Sequence, residues 1–198
     1  MKDIALIDND FIQHLTKVEY GDEEQWKDLI DRLFKALDYS LAFHELLYRN
    51  EVLDEGTSSI VKRRVLGLIK EEKVFIESIS IIKKDTSKTE YYKIVFEEIC
   101  NDILGKKPVD DIFKDWKRGK SLGEIHSLSM CVVCNYKLFL SDDDDSKKIR
   151  SFLKRKFVEN SICVYNRDEC LDMAIENGAS FKRLEKRILK RSFSGDNG

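Results

Sequence analysis

The sequence predicts an α/β fold with a mainly parallel central sheet. Three short apolar runs are predicted strands, at residues 4–7, 137–140 and 161–165. Continuous apolar runs of this length are typical of parallel strands, because both faces of a parallel sheet are usually covered. Segments with helical spacing lie between the runs, and an alternation of strands and helices favours a parallel sheet.

The N-terminal half opens with the strand IALI, which ends abruptly at Asp8. Further on, apolar side chains recur at steps of three and four residues, which predicts an amphipathic helix. These side chains are Trp26, Leu29, Ile30, Leu33, Phe34 and Leu37. A second helix is predicted over residues 40–50, SLAFHELLYRN, and it carries Glu45. Residues 74–82 fit either a strand or the end of a helix, and residues 90–103 have helical spacing.

The C-terminal half begins with SLGE, in which Ser121 and Glu124 form a predicted capping box at the start of a helix. The strand KLFL follows, then four consecutive aspartates, then a basic amphipathic helix. The apolar face of that helix consists of Ile149, Phe152, Leu153 and Phe157. The last strand, SICVY, leads into a helix that Gly178 is predicted to close.

The chain of 198 residues is long enough for one sizeable core, and we expect a single domain over residues 1–191. Its middle segment, about residues 60–118, is expected to be helical, and residues 192–198 are expected to form a flexible tail. No stretch approaches the ~20 apolar residues of a membrane span, and the acidic N-terminus does not match a signal peptide. We therefore expect a cytoplasmic protein without membrane association.

The five cysteines form an odd set with only one CxxC pair, Cys131 and Cys134. This number and spacing indicate neither a disulfide framework nor a complete zinc site. We interpret the pair as small side chains on a buried helical face.

Acidic side chains follow two of the predicted strands at the point where each strand ends. Asp8 follows the first strand, and the run from Asp142 to Asp145 follows the second. The carboxyl ends of parallel strands share one edge of the sheet, where ligand sites form and where helices begin. Glu124, in the first turn of its helix, is expected at the same edge, and Glu45 is the fourth candidate.

Clustered carboxylates repel one another and become tolerable when a cation neutralises them. Mg²⁺ and Mn²⁺ prefer oxygen ligands, so these acids predict a site for one of those two ions. A metal ion at such a site would serve phosphodiester hydrolysis, because it activates water and stabilises the charge of the transition state.

Simpler interpretations exist for each of these acids. The aspartate run is also compatible with a solvated loop in which Asp145 or Ser146 caps the following helix. Glu124 is explained equally by the capping box, and Glu45 by an exposed helix surface. His44 and His126 neighbour the two glutamates, but lone histidines usually satisfy local hydrogen bonds, so the predicted site does not include them.

Positive charge is concentrated after the aspartate run, although the whole chain has a net charge of only −2. The segment from residue 147 to residue 191 holds 13 basic and 6 acidic side chains, an excess of 7 positive charges. Solvated helix faces explain many such segments, but here the basic helix begins beside the predicted site. An anionic polymer therefore fits as substrate, with Lys147, Lys148 and Arg150 as predicted nucleic-acid-binding residues.

Four motifs together resemble the PIN domain family of metal-dependent nucleases. They are LIDNDFI, FHELL, SLGEIHSLSMCVVCNYK and LFLSDDDDSKKI, in this order. The resemblance implies a three-layer α/β/α sandwich with a mainly parallel central sheet. It covers about residues 3–60 and 119–177, and the segment between them is longer than in compact family members.

The resemblance also implies roles for individual residues. It implies the catalytic acids Asp8, Glu45, Glu124 and Asp143. The metal ligands it implies are Asp8, Glu124, Asp142 and Asp143, with the fourth acid ambiguous between the last two. Asp10 and Ser141 match supporting positions, and Asp145 is an auxiliary candidate.

The activity implied by the resemblance is Mg²⁺- or Mn²⁺-dependent endonucleolytic cleavage, with single-stranded RNA favoured over DNA. Many small family members are toxins or defence effectors that a protein partner holds inactive. An inhibitory protein partner is therefore an expectation, and a homodimer is a further one.

Two alternatives differ in class from a nuclease. Asp8 and Asp10 also match the D-x-D of haloacid-dehalogenase-type phosphatases, with Asp8 as nucleophile and Asp10 as acid. Phe11 and Ile12 stand where those enzymes usually have a glycine and a small or β-branched residue. The other alternative is a non-catalytic module of the same fold that binds RNA or a protein.

Overall fold

Five short strands form one sheet in the computed structural model, which describes residues 2–104, 111–114, 122–157 and 162–190. The strands are β1 (Ile4–Ile7), β2 (Ser40–His44), β3 (Val74–Glu77), β4 (Leu138–Leu140) and β5 (Cys163–Tyr165). Their order across the sheet is β3-β2-β1-β4-β5, and every neighbouring pair is parallel. The predicted α/β class with a parallel sheet is confirmed.

Helices connect the strands and follow the last one. They are α1 (Asn9–Lys17), α2 (Glu23–Leu37), α3 (Glu45–Leu47), α4 (Ser59–Lys70), α5 (Ser80–Lys83), α6 (Thr86–Ile99), α7 (Leu122–Cys134), α8 (Asp144–Lys156), α9 (Arg167–Glu176) and α10 (Arg183–Leu189). Two π-helical turns, Tyr48–Val52 and Cys100–Leu104, follow α3 and α6. Across the described ranges, every helix is too short or too polar to cross a membrane.

The sheet separates two hydrophobic cores. Successive strand residues point to opposite faces, so Ala5 and Ile7 enter one core while Leu6, between them, enters the other. Helices α1, α2, α4 and α9 cover the first face, and α6, α7 and α8 cover the second. The result is the three-layer α/β/α sandwich that the sequence led us to expect.

One part of the sequence forms a strand where a helix was predicted, and residues 74–82, which fitted either a strand or a helix end, contain strand β3. Residues 40–44 are strand β2, and the helix begins only at Glu45, so the prediction of one helix over residues 40–50 was wrong. Leu41, Ala42 and Phe43 are buried on both faces of the sheet and therefore show no pattern that separates a strand from a buried helix. The middle segment is also not wholly helical, because it contains β3 at the edge of the sheet.

The predicted ends of the later helices agree with the structure where they are described. Gly178 has a φ of 91°, a left-handed conformation that favours glycine, and its N–H donates to the carbonyl of Ile175 after α9. Ser121, the predicted N-cap of α7, lies outside the described residues, as does the predicted tail at 192–198.

Candidate functional site

Asp8 is buried at the carboxyl edge of the sheet, with only 1% of its surface exposed. Its N–H continues the ladder between β1 and β4 by donating to the carbonyl of Leu140 at 2.8 Å. Both carboxylate oxygens accept hydrogen bonds, one from the N–H of Asn9 at 2.8 Å and one from the hydroxyl of Ser141 at 3.0 Å. Asp8 therefore caps α1 and joins the ends of β1 and β4.

Glu124 lies in the first turn of α7 and is also buried, with 8% exposed. Its Oε2 is shielded from solvent and has no hydrogen-bond partner among the described residues. Burial, together with the charges of Glu51, Asp143 and Asp10, raises the pKa of Glu124 to about 8, against a bond from its own N–H. The carboxyl of Glu124 thus holds its proton near neutral pH.

Asp8 experiences the same kind of environment. Burial raises its pKa well above the ordinary value, and the charges of Glu124, Glu51 and Asp10 add to this effect, while the hydrogen bond from Ser141 opposes it. We call Asp8, Asp10, Glu51, Glu124 and Asp143 the acidic cluster. The neighbouring charges that raise the pKa values of Asp8 and Glu124 are carboxylates.

Glu51 is the member of the acidic cluster that the sequence did not predict. It lies on the π-helical turn after α3 and is 9% exposed. Its Oε1 lies so close to Gly123 that a Cβ at that position would come within 2.5 Å of it. The glycine directly before Glu124 is the signal available in the sequence, because a helix position without a side chain leaves room for another group to approach.

Glu45 is not brought into the acidic cluster as expected. Its Oε2 accepts hydrogen bonds from the hydroxyl of Ser78 at 2.9 Å and from the N–H of Ile79 at 3.0 Å. Burial raises its pKa, but these bonds and Arg49 outweigh that effect and lower it overall. Donors that follow β3 therefore hold this carboxylate in place.

The sequence left the fourth acid open between Asp142 and Asp143. The charge of Asp143 helps to raise the pKa of Glu124. Asp142 is buried, and its carboxylate faces Arg167 and His14. It accepts hydrogen bonds from Nε and from the backbone N–H of Arg167, and it pairs with Nδ1 of His14 at 3.1 Å. Burial raises the pKa of Asp142, but His14 and Arg167 together lower it overall. Because the charge of Asp142 is already matched by Arg167, the geometry favours Asp143 as the fourth acid, and the metal ligand stays a prediction.

Ser141, Asp10 and Asp145 differ in their relation to the acidic cluster. The buried hydroxyl of Ser141 donates to Asp8 and accepts from the N–H of Asp143 at 3.1 Å, so it links two cluster members. Asp10 is exposed on α1, and its negative charge helps to raise the pKa of Asp8. The carboxylate of Asp145 pairs instead with Lys148 at 2.5 Å.

The predicted nucleic-acid-binding residues lie on α8, which begins directly after Asp143. Lys148 is exposed, and Lys147 pairs with Glu169 across 3.4 Å. Nε of Arg150 is shielded from solvent and has no hydrogen-bond partner. These three side chains contribute positive charge beside an acidic site.

The chemistry of the acidic cluster fits a hard cation, since all its side-chain donors are oxygens and one buried oxygen of Glu124 lacks a partner. Within the described ranges, however, no group of three or more His, Cys, Asp or Glu side chains is spaced to hold a metal ion. The hydrogen bonds that Asp8 and Asp143 accept leave each carboxylate oxygen a second lone pair for a cation. Binding would therefore require the carboxylates to move into coordinating distance of one ion, with these hydrogen bonds kept.

Comparison with known proteins adds no relative: neither a family model, nor a curated protein, nor a solved structure matches the chain.

Proposed function

We propose that the chain is a metal-dependent nuclease of the PIN-like type that hydrolyses phosphodiester bonds of single-stranded RNA. One observation carries the proposal: two buried carboxyl groups, Asp8 and Glu124, have pKa values raised by burial and by neighbouring carboxylates at the carboxyl edge of a parallel sheet. A buried carboxylate is costly without a compensating cation, so a metal ion bound here would relieve the repulsion among these acids.

Mg²⁺ or Mn²⁺ would be held by Asp8, Glu124 and Asp143, with Glu51 beside them. When bound, such an ion activates a water molecule and stabilises negative charge on the phosphodiester. Ser141 orients Asp8 through its hydroxyl, and Asp142 anchors the segment before α8 to Arg167. The basic side chains of α8 supply attraction for the RNA backbone.

The test compares wild type with Asp8→Asn, because asparagine keeps the shape and removes the charge. We expect cleavage of single-stranded RNA in Mn²⁺ to fall by more than about 100-fold, beyond the roughly 10- to 100-fold typical of residues that only support a metal ligand. Mn²⁺ should stabilise wild type by about 2.7 kcal/mol at 100 times its Kd, and the variant much less. Asp3→Asn, at the exposed opposite end of β1, is the matched control.

Other outcomes separate the alternatives. Equal Mn²⁺-induced melting shifts and equal cleavage in wild type and Asp8→Asn would refute the nuclease proposal. Hydrolysis of p-nitrophenyl phosphate that depends on Asp8, without RNA cleavage, would favour the phosphatase. RNA binding without any hydrolysis would favour a non-catalytic module.

A further inference from the structure

A hydrogen-bonded trio of side chains is buried behind the acidic cluster. His44, Tyr92 and His126 are at most 1% exposed and come from three different elements, β2, α6 and α7. The hydroxyl of Tyr92 lies 3.1 Å from Nε2 of His44 and 2.7 Å from Nδ1 of His126. One hydroxyl group therefore joins two histidines inside an otherwise apolar core.

The backbone sets the direction of the hydrogen bond between His44 and Tyr92. Nδ1 of His44 accepts from the N–H of Leu46 at 3.1 Å, so the proton of the neutral ring is on Nε2, which donates to the oxygen of Tyr92. The proton of the Tyr92 hydroxyl then points toward His126, whose Nδ1 lies at 2.7 Å and whose carbonyl oxygen accepts from the hydroxyl at 3.2 Å. Burial lowers the pKa of His44 to about 3, which keeps the ring neutral as this chain of bonds requires.

Each end of the trio belongs to a segment that carries an acid of the cluster. His44 caps α3, which leads directly into the π-helical turn of Glu51. His126 lies two residues after Glu124 on α7. The same two segments meet where Glu51 approaches Gly123.

We propose that the Tyr92 hydroxyl is a positioning group that fixes the separation of Glu51 and Glu124 through His44 and His126. The inference rests on the proposed function insofar as the positioned carboxylates bind a metal ion. Phenylalanine would fill the same space, since the Tyr92 ring already packs against that of Phe113 with centroids 5.7 Å apart. A buried polar trio costs desolvation that an apolar core avoids, and it gains a defined spacing between the elements that it joins.

The experiment compares Tyr92→Phe with Tyr91→Phe, its neighbour on α6, which is 38% exposed and packs edge-on against Phe157. In the metal-free full chain, we expect the backbone resonance of Gly123 to shift and broaden in Tyr92→Phe and to stay unchanged in Tyr91→Phe. With Mn²⁺ alone as probe, the Kd of Tyr92→Phe should rise about tenfold. Both variants should melt within about 4 °C of wild type.

A second pair of variants separates positioning from a loss of packing. His126→Asn keeps an acceptor oxygen near the place of Nδ1 and should retain the wild-type Gly123 resonance, whereas His126→Leu should not. A wild-type Gly123 resonance in both Tyr92→Phe and His126→Leu would overturn the inference. If wild type itself fails to bind Mn²⁺, the proposed function fails, and the Gly123 resonance still decides whether the trio positions these segments.

Discussion

Two buried carboxylate regions of this protein have opposite electrostatics. Glu185 is 2% exposed and accepts hydrogen bonds from Nη2 of Arg32 at 2.7 Å, from the hydroxyl of Tyr20 at 2.8 Å and from the N–H of Lys182 at 2.7 Å. Its hydrogen bond with Arg32 lowers the pKa to about 2, against the effect of burial. In the acidic cluster, burial and neighbouring carboxylates raise the pKa of Glu124 to about 8.

Burial alone therefore does not mark a functional carboxylate. Glu185 is compensated by a cation and by donors, and it docks α10 onto α2, which is a structural task. Glu124 is surrounded by charges of its own sign, an arrangement that is typical of sites whose compensating cation comes from a ligand. Four changes test this distinction, and we take them from the largest expected effect on stability to the smallest.

Replacing Arg32 by leucine should turn the compensated region into an uncompensated one. The variant leaves Glu185 buried without its cation, which typically costs 3–5 kcal/mol. Because Arg32 is itself 34% exposed, we expect a loss of about 2 kcal/mol in the free energy of unfolding, measured by urea denaturation at pH 7. Lys27→Met breaks an exposed pair with Glu71 and, as control, should cost under about 1 kcal/mol.

The sign of the pH dependence follows from the lowered pKa of Glu185. A carboxyl whose pKa is lower in the folded state stabilises the protein above the unfolded pKa, and that contribution is lost as the pH falls toward 2. Arg32→Leu should therefore weaken the dependence of stability on pH between about 4.5 and 2. An unchanged acid transition in this variant would show that Arg32 does not compensate Glu185.

Replacing Glu124 by glutamine should change the pH dependence of stability at neutral and alkaline pH rather than in acid. A carboxyl whose pKa is raised in the folded state makes the metal-free protein less stable as the pH rises from about 4.5 through about 8. Between pH 5 and pH 9 in chelator, wild type should lose at least about 1.4 kcal/mol more stability than Glu124→Gln, which corresponds to one pKa unit. Parallel pH profiles for the two proteins would mean that Glu124 is solvated rather than buried among like charges.

The sequence predicted those members of the acidic cluster whose positions follow from their neighbours along the chain. Asp8 and the pair Asp142 and Asp143 were predicted because they stand just beyond apolar runs, and Glu124 because it begins a helix. Glu51 was missed, since its place in the acidic cluster depends on a π-helical turn and on a contact with Gly123 far along the chain. Glu45 was predicted from the resemblance of FHELL, and nothing in the sequence indicated the donors after β3 that hold this carboxylate.

The adjacent aspartates Asp142 and Asp143 show a similar limit of prediction from sequence. Asp142 and Asp143 have the same chemistry and nearly the same position relative to β4, so local order cannot rank them. The difference between them comes from Arg167, which begins the helix after the neighbouring strand and reaches Asp142 through space. Strand β2 was missed for a different reason: its apolar run Leu41–Phe43 is followed after only two polar residues by the apolar side chains of α3, so both segments were assigned to one helix.

Two helical glycines test how closely the acidic cluster is packed. An alanine Cβ at Gly123 would meet Oε1 of Glu51 at 2.5 Å and a methyl of Leu47 at 3.0 Å, whereas one at Gly67 would meet nothing within 4 Å. The flexible end of Glu51 must move, so Gly123→Ala should cost about 1 kcal/mol, near the low end for overpacking. Gly67→Ala should instead gain roughly 0.5–1 kcal/mol, because alanine favours a helix interior.

Thermal or urea unfolding of both glycine variants provides the measurement. Opposite signs for the two changes would support the close approach of Glu51 to α7. If Gly123→Ala were as stabilising as Gly67→Ala, Glu51 would not lie against this helix, and its membership of the acidic cluster would be wrong.

The smallest effect on stability is expected for the basic side chains at the start of α8, which lie at the protein surface or are only partly buried. Changing Lys147, Lys148 and Arg150 together to glutamine removes two surface ion pairs, which should alter the free energy of unfolding by less than about 1 kcal/mol. The same change should act strongly on RNA affinity, because each lost phosphate contact flattens the dependence of log K on log salt by about 0.7 for a single strand. We therefore expect a slope shallower by about 2 in a filter-binding titration.

A triple change of Arg183, Lys186 and Arg187 on α10 removes equal charge from a helix on the opposite face of the sheet and should leave the slope nearly unchanged. Equal flattening in both triples would mean that total charge, rather than the position of α8 beside the acidic cluster, governs the attraction.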